Sequence, residues 1–453
     1  MLEIAPQRKN KINLSDYNSH QDIESKILLS ECSSFEFEVL EAILFSSLKI
    51  ATAKLAHSLD VSEEALKPVL EKLARTNLLE IQGNLLLVDK ERRKYFEFQI
   101  CRFEKDFKQN MDFLQGLLKM VPIHILPVWY SIPRSSNNIF ESIVEKYLFS
   151  PQIYERYLEE VEALDPVYSK ILKDLFSSEN LQIPSSVLIA KHGLTRFEFE
   201  EIMLQLEFRF VAFVCYRPDG NQWQEWVVPF YEWQQHLLFL KNTQPPPIIE
   251  GNQRVSCKRN APFAFLKDME IALELLKKNP LTPDSSLAPH FGLSEEDPFT
   301  HSYIMKLFEK LVLIRLAAYR EGSFVALDGG TDWLSLSYEN RAVALYRHPQ
   351  NRPADISERQ AREAEKIVKR VIHGKWVLLD DLLTGSLVFL SDDPTDKRPN
   401  KNWLPPKYNE SEKSMIKTVL LDSLFECGMV LPGIYEGRDC LAVTPFGKTF
   451  FED

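Results

Sequence analysis

One pattern of apolar and polar positions recurs along this chain. A short Leu/Ala-rich helix ends in a turn, Ser or Thr follows, and an amphipathic helix with an acidic lead runs into a β-rich tail. In the first copy Leu55-Ala56-His57-Ser58-Leu59-Asp60-Val61-Ser62-Glu63-Glu64 precedes Leu66, Val69, Leu70 and Leu73 and closes in Leu78-Leu79-Glu80-Ile81. Another reads Leu287-Ala288-Pro289-His290-Phe291-Gly292-Leu293-Ser294-Glu295-Glu296, then Ile304, Leu307, Phe308 and Leu311, ending in Val312-Leu313-Ile314. Between them a more degenerate copy runs Leu188-Ile189-Ala190-Lys191-His192-Gly193-Leu194-Thr195, then Phe199, Ile202, Met203 and Leu206, ending in Val211-Ala212-Phe213. Repetition of one supersecondary unit implies an array of small units, not a single large enzyme fold.

Capping and turn signals divide the chain. Residues 1–34 mix polar types without sustained periodicity and read as a loosely attached arm. From Phe35 a helical pattern begins, with Ser33-Ser34 as capping candidates; Ser62 caps a later helix, and Glu63 and Glu64 suit its positive end. Gln82-Gly83-Asn84 turns the chain between two short apolar runs, a hairpin signal. Helix, helix–turn–helix and hairpin is the order of a winged helix, expected over 35–108. Residues 109–164 read as a helical connector interrupted by an extended piece, Val121–Pro133. A second winged helix is expected over 165–243, opened by Asp165-Pro166 as N-cap and first helical residue. A stiff linker, 244–260, begins at Gln244-Pro245-Pro246-Pro247. A third winged helix spans 261–350. A winged-helix-like domain at 351–453 carries helices at Ser357–His373 and Ser411–Cys427 around a polar, Pro-rich loop, Asp392–Lys407, expected to be mobile. The expected fold class is mostly α with small β-wings (α+β), in tandem winged-helix-like domains.

Composition narrows the class. The length, 453 residues, accommodates about three domains of roughly 150 residues, or more if the units are small. No apolar run reaches the roughly 20 residues a membrane helix needs, and the N-terminus lacks the basic start and apolar stretch of a secretory signal. Six cysteines lie far apart without a Cys-x-x-Cys pair, which suits free thiols in a reducing interior. A cytoplasmic protein is expected.

A net charge of −11 opposes non-specific attraction to nucleic acid. The helices that would enter a groove are poor in cations. Ser62–Asn77 is balanced, whereas Thr195–Phe208, Ser294–Leu311 and Asn409–Cys427 carry more acid than base, so those three are expected to be structural or to face protein. Two basic stretches oppose this trend. After the first hairpin come Lys90, Arg92, Arg93 and Lys94, interleaved with Asp89, Glu91 and Glu97, so a solvated helix face competes with phosphate contact. From Arg341 to Lys375 cations outnumber acids, and Arg359, Arg362, Lys366, Lys369 and Arg370 recur at helical spacings that place them on one side. This second stretch is the better phosphate-binding candidate; its alternative is an exposed helix paired with the acidic remainder of the protein.

Catalytic constellations are missing from the sequence. The nine histidines show no i, i+4 or Cys/His metal spacing, and His57, His192 and His290 near successive turns suit turn packing. No Gly-x-Ser-x-Gly elbow occurs. The pairs Asp380-Asp381 and Asp392-Asp393 suit caps or solvated loops better than acid–base work. Neither catalytic residues, a metal, a cofactor nor a small-molecule substrate is expected. The seven tryptophans could stack on single strands, but most lie beside strand patterns as core anchors. Trp223, Trp226, Phe230, Tyr231 and Trp233 are dense enough to suggest a protein-contact patch.

Two further motifs carry a resemblance. Leu327-Asp328-Gly329-Gly330-Thr331-Asp332-Trp333-Leu334-Ser335-Leu336 precedes Glu339-Asn340-Arg341 and Leu345, and the chain closes with Leu441-Ala442-Val443-Thr444-Pro445-Phe446-Gly447-Lys448. Over roughly the last two-fifths of the chain these resemble bacterial winged-helix array proteins grouped with the accessory domain that accompanies XPB-type helicases. The helicase motor has no counterpart, since no Gly-x-x-x-x-Gly-Lys-Ser/Thr phosphate loop is present. The resemblance implies a nucleic-acid-linked accessory or scaffold protein without ATPase activity. Expectation therefore rests on a non-catalytic scaffold associated with nucleic acid, with DNA and protein as partners; the competing reading is a protein–protein adaptor that never touches nucleic acid.

Overall fold

The computed structural model describes residues 11–133, 138–249, 254–351, 355–372, 374–390 and 401–452. The chain is mostly helical with small antiparallel sheets, an α+β protein. It forms two compact bodies. The first takes in the described residues up to Leu237 together with 401–403; the second holds those from Leu238 to 390 and from Leu404 onward.

The first body begins with helix α1 (Ser19–Ser30) and α2 (Ser34–Leu44). Ser33 caps α2 in a reciprocal box with Glu36. Strand β1 (Lys49–Ala51), α3 (Thr52–Ser58), α4 (Glu63–Ala74), β2 (Leu79–Gln82) and β3 (Leu85–Val88) follow. Ser62 caps α4, whose Leu66, Val69, Leu70 and Leu73 are buried at the spacing seen in the sequence. Gly83, at φ +61°, lets β2 turn tightly into β3, and the sheet order is β1–β3–β2. Next come α5 (Lys90–Gln99), α6 (Met111–Leu118), α7 (Leu126–Trp129), α8 (Ile139–Ile143) and α9 (Pro151–Glu162). Part of the expected extended piece Val121–Pro133 is therefore helical. Tyr130 donates its hydroxyl to the carbonyl of Phe208 and Tyr154 donates to Phe210, fastening these helices to later backbone. The body continues with α10 (Pro166–Ser177), β4 (Ile183–Pro184), α11 (Ser185–His192), α12 (Arg196–Phe208), β5 (Ala212–Asp219) and β6 (Gln222–Pro229), ordered β4–β6–β5; the division at Leu237 falls within the next helix, α13 (Tyr231–Asn242).

The second body contains α14 (Ala264–Lys278), a 3-10 turn at Ser285–Phe291, α15 (Pro298–Leu313), β7 (Ala317–Arg320), β8 (Ser323–Ala326), α16 (Gly330–Ser335) and α17 (Tyr338–Arg347). It closes with α18 (Glu358–Glu365), a 3-10 turn at Lys366–Arg370, β9 (Trp376–Leu378), α19 (Leu379–Thr384), α20 (Glu410–Lys417), a π turn at Thr418–Ser423, α21 (Leu424–Glu426), β10 (Val430–Tyr435), β11 (Arg438–Val443) and α22 (Pro445–Glu452). The order helix, short strand, helix, helix, hairpin thus occurs at 34–88, 166–229 and 358–443. It recurs at 264–326 with an isolated bridge, Leu281 to Phe324, in place of the first strand. The three-stranded sheets share one arrangement, with the second hairpin strand in the middle and the first at an edge.

Four expectations need correction. The arm expected at 1–34 is ordered from residue 11 on: Ile23 and Leu29 are buried, and α1 packs on α12. Its pattern looked polar because Asp22, Ser25 and Lys26 are buried with partners, namely Tyr17 and Tyr95, Arg92, and Glu207, all but Tyr17 distant in sequence. The linker 244–260 is not merely a spacer. Ile248 N–H donates to Trp376, and Ser256 exchanges two main-chain hydrogen bonds of 2.9 Å with Ile434. Of the loop expected at 392–407, residues 392–400 lie outside the described residues. Its continuation buries Trp403 among Tyr154, Phe230 and Trp233, with the indole N–H on the Leu148 carbonyl at 2.8 Å. Lastly, the helix expected over 357–373 tightens into the 3-10 turn after Glu365.

Both resemblance motifs have local physical causes. Arg341 stacks over Trp333, 4.6 Å from the ring centre, and donates to the carbonyls of Trp333 and Leu334 that end α16, and to Glu270. Thr444 Oγ1 accepts the Gly447 N–H and donates to the Gly428 carbonyl. A β-carbon on Gly447 would collide with the Met429 carbonyl oxygen, so the first turn of α22 lies this close to Met429 only with glycine at its third position.

Candidate functional site

The basic residues selected from the sequence are mostly engaged by the protein itself. Arg92 sends Nε to the Thr76 carbonyl just past α4 and Nη2 to Ser25 Oγ, and lies over the Tyr95 ring. Arg93 reaches the Ser46 carbonyl beyond α2 at 2.7 Å and pairs with Glu97. Arg370 donates to Gly385, the cap of α19, and to Leu240 and Thr243; its half-buried position lowers its pKa. With Arg341, these residues follow one rule. Helix ends leave carbonyls without partners, and a guanidinium supplies several fixed donors beside the negative end of the dipole.

The expected common face over 359–370 is also broken. In the 3-10 turn residues three apart eclipse, so Lys366 and Lys369 align while Arg370 is rotated aside toward its carbonyls. Arg362 stacks on Tyr346 at 4.1 Å and pairs with Glu365, and Lys366 pairs with Glu363. Arg359 and Lys369 are exposed. A continuous phosphate-facing stripe through all five is not present.

The aromatic patch divides in the same way. Phe230 is fully buried and Trp233 is 6% exposed, both packed on Tyr154 and Trp403. Trp223 contacts Phe37 and Phe103, Trp226 lies under Arg217, and Tyr231 faces Lys108. The strand alternation β6 imposes sends successive side chains to opposite faces, so proximity in sequence did not make one surface.

The helices preceding the hairpins carry the more informative geometry. On α12, Glu200 and Glu207 are wholly buried, so half of the acid counted there is not surface charge, while Glu198 and Glu201 are exposed. Glu207 accepts from Arg102 at 2.5 and 2.9 Å, from Lys26 at 2.6 Å and from the Val214 N–H at 3.3 Å. Burial by itself would raise its pKa, but Arg102 and Lys26 overcome that and hold it down to about 2. Beside it Arg196 joins Glu200 and Glu225. Burial and the Glu225 charge push Glu200 up to about 8. Helix α1 therefore occupies the side of α12 that carries these charges.

In the second body α15 is covered by α20–α21. Lys310 pairs with Glu426 at 2.8 Å, Lys306 with Asp422 at 3.3 Å, and Tyr303 packs near Phe425. Helix α4 differs, for Glu63, Glu64, Lys67 and Glu71 are exposed along its outer side. An open groove of about 740 Å³ runs between its end and the hairpin, lined by Ala74, Leu79, Ile81 and Leu87 and rimmed by Glu71, Glu80 and Asp89. No lining residue of that groove is basic. Reading the sequence missed the groove, although the polar–apolar alternation of Leu79-Glu80-Ile81 was its visible trace.

Among the described residues no group of three or more His, Cys, Asp or Glu side chains is placed to hold a metal, and no helix is long and apolar enough to cross a membrane. No family model matches the chain, and no curated protein matches it significantly.

Proposed function

We propose that the protein is a non-catalytic adaptor built from four winged-helix-type units, and that it engages a protein partner on the outer side of α4 and its groove with β2. The four repeats of helix, strand, helix, helix and hairpin support the winged-helix reading, including the bridged version at 264–326. The observation that carries the partner class is the α4 groove: apolar along its floor, acidic at its rim and open to solvent. Such a surface repels phosphate and suits a protein segment bearing cations and apolar side chains. Nucleic-acid association, as the helicase-accessory resemblance implies, has less support. Arg92, Arg93, Arg362, Lys366 and Arg370 are held by internal partners, and two exposed cations, Arg359 and Lys369, do not make a track that follows a backbone.

A paired experiment tests the reading. Electrophoretic mobility of duplex and single-stranded DNA across a salt series should show no shift even at low salt. A photo-crosslinker at Lys67 should capture a defined partner from the native host, with capture lost in Glu71→Arg. Salt-sensitive DNA binding abolished by Arg359→Glu with Lys369→Glu, together with crosslinking indifferent to Glu71→Arg, would reject the adaptor.

A further inference from the structure

The groove beside α4 borders a strand edge whose hydrogen-bonding groups can be assigned. Asp89 N–H donates to the Leu78 carbonyl, which marks 78 and 89 as a bonded antiparallel pair. Bonded and non-bonded pairs alternate along an antiparallel ladder. With Glu80 opposite Leu87 and Gln82 opposite Leu85, those pairs are bonded, and the main-chain N–H and C=O of Leu79 and Ile81 point away from β3. Sheet order β1–β3–β2 leaves that side of β2 without a neighbouring strand.

In two other repeats the same chain closes the equivalent edge. In the last repeat β10 holds the position of β2, and the extended segment around Ser256 bonds to Ile434 through both main-chain groups. Gly433 leaves room for Val255 there, since a β-carbon would stand 2.6 Å from its side chain. In the second repeat β5 is sealed at Val214, whose carbonyl accepts from Arg102 and whose N–H donates to Glu207. Strand β2 has no such cover among the described residues.

The geometry points to β2 as a docking edge for an extended segment of a partner protein, which adds a strand antiparallel or parallel to Leu79–Gln82 and presents cations to Glu71 and Glu80. The choice of a basic segment follows from charge: the groove lining contains three carboxylates and no cation, while Ile81, 40% exposed, offers an apolar contact to alternate residues. This inference rests on the adaptor reading and specifies how its partner binds. Main-chain pairing supplies affinity without a deep pocket, and the acidic rim selects the partner's charge.

The test uses the full chain and two fluorescein-labelled hexapeptides, Lys-Val-Lys-Val-Lys-Val and Glu-Val-Glu-Val-Glu-Val, with binding followed by fluorescence polarisation. The basic peptide should bind and weaken as salt rises; the acidic one should not bind. Ile81→Pro removes an outward N–H without breaking the β2–β3 ladder and should weaken binding at least tenfold, with the circular dichroism spectrum unchanged. Glu71→Lys with Glu80→Lys should abolish it. Binding lost in the charge variant but intact in Ile81→Pro overturns strand addition and leaves the groove as partner site. Binding indifferent to both variants overturns the groove as well, and failure of the basic peptide to bind at millimolar concentration overturns this inference.

Discussion

Replacing Glu207 by Gln probes the most heavily charged part of the interior. Glu207, Arg102 and Lys26 have side chains 0%, 2% and 4% exposed. One carboxylate is shared by both cations, and it also accepts the Val214 N–H at the edge of β5. The Glu207→Gln variant would keep the shape but leave two buried cations facing each other without a counter-charge. Breaking a buried pair by removing one partner costs about 3–5 kcal/mol, and here two pairs share the lost partner, so the upper end applies. In a body of this size that corresponds to a fall in Tm of roughly 10–20 °C.

Calorimetry of the full chain should show the transition of the first body shifted, with that of the second unchanged. Removing all three charges together (Lys26→Met, Arg102→Met, Glu207→Leu) should recover most of the loss, because an ion cluster replaced by apolar groups of similar volume is close to neutral. The pH dependence has a definite sign. A carboxyl held at about 2 in the folded chain, against 4.5 unfolded, contributes stability above pH 4.5 that disappears as pH falls toward 2. The deficit of the Gln variant should therefore shrink on acidification. A loss below about 1 kcal/mol at neutral pH, or a triple variant no better than the single one, would refute a dry cluster held by its shared carboxylate.

Glu200 has the opposite sign: with its pKa raised to about 8, the folded chain retains a proton the unfolded chain loses near 4.5, so stability should decline between these values. Glu200→Gln should flatten that decline in melts at pH 5 and pH 8.5, and an unchanged slope would contradict it. Trp403→Ala should remove about 3–5 kcal/mol from the first body in urea unfolding followed by fluorescence, since a 6% exposed indole leaves a cavity among Tyr154, Phe230 and Trp233. Gly447→Ala should destabilise the second body by about 1–3 kcal/mol in urea unfolding, because the new methyl meets the Met429 carbonyl; a neutral effect would show that α22 can shift freely.

Much of the architecture was legible in local signals. Ser33, Ser62 and Asp165 cap the helices they were expected to cap, and Gly83 turns the first hairpin, because such preferences act within three or four residues. The hydrophobic spacing of α4 and α15 likewise marks the faces that are buried. The candidate site was far less legible. Arg92, Arg93 and Arg370 looked like a phosphate surface because their acceptors, carbonyls at helix ends 15 to 130 residues away, leave no trace in their neighbourhood.

What the sequence determined by itself was the repeated unit and the periodicity of its helices, since hydrogen bonding and side-chain direction repeat over short distances. What only the tertiary structure decided was the fate of the charges and aromatic rings. Lys26 and Asp22 became interior, Phe230 and Trp233 became core, α12 was covered by α1, and α4 kept an open flank. Burial and neutralisation depend on what lies across space, and the long-range contacts that settle them can convert an apparently polar segment into an anchored helix.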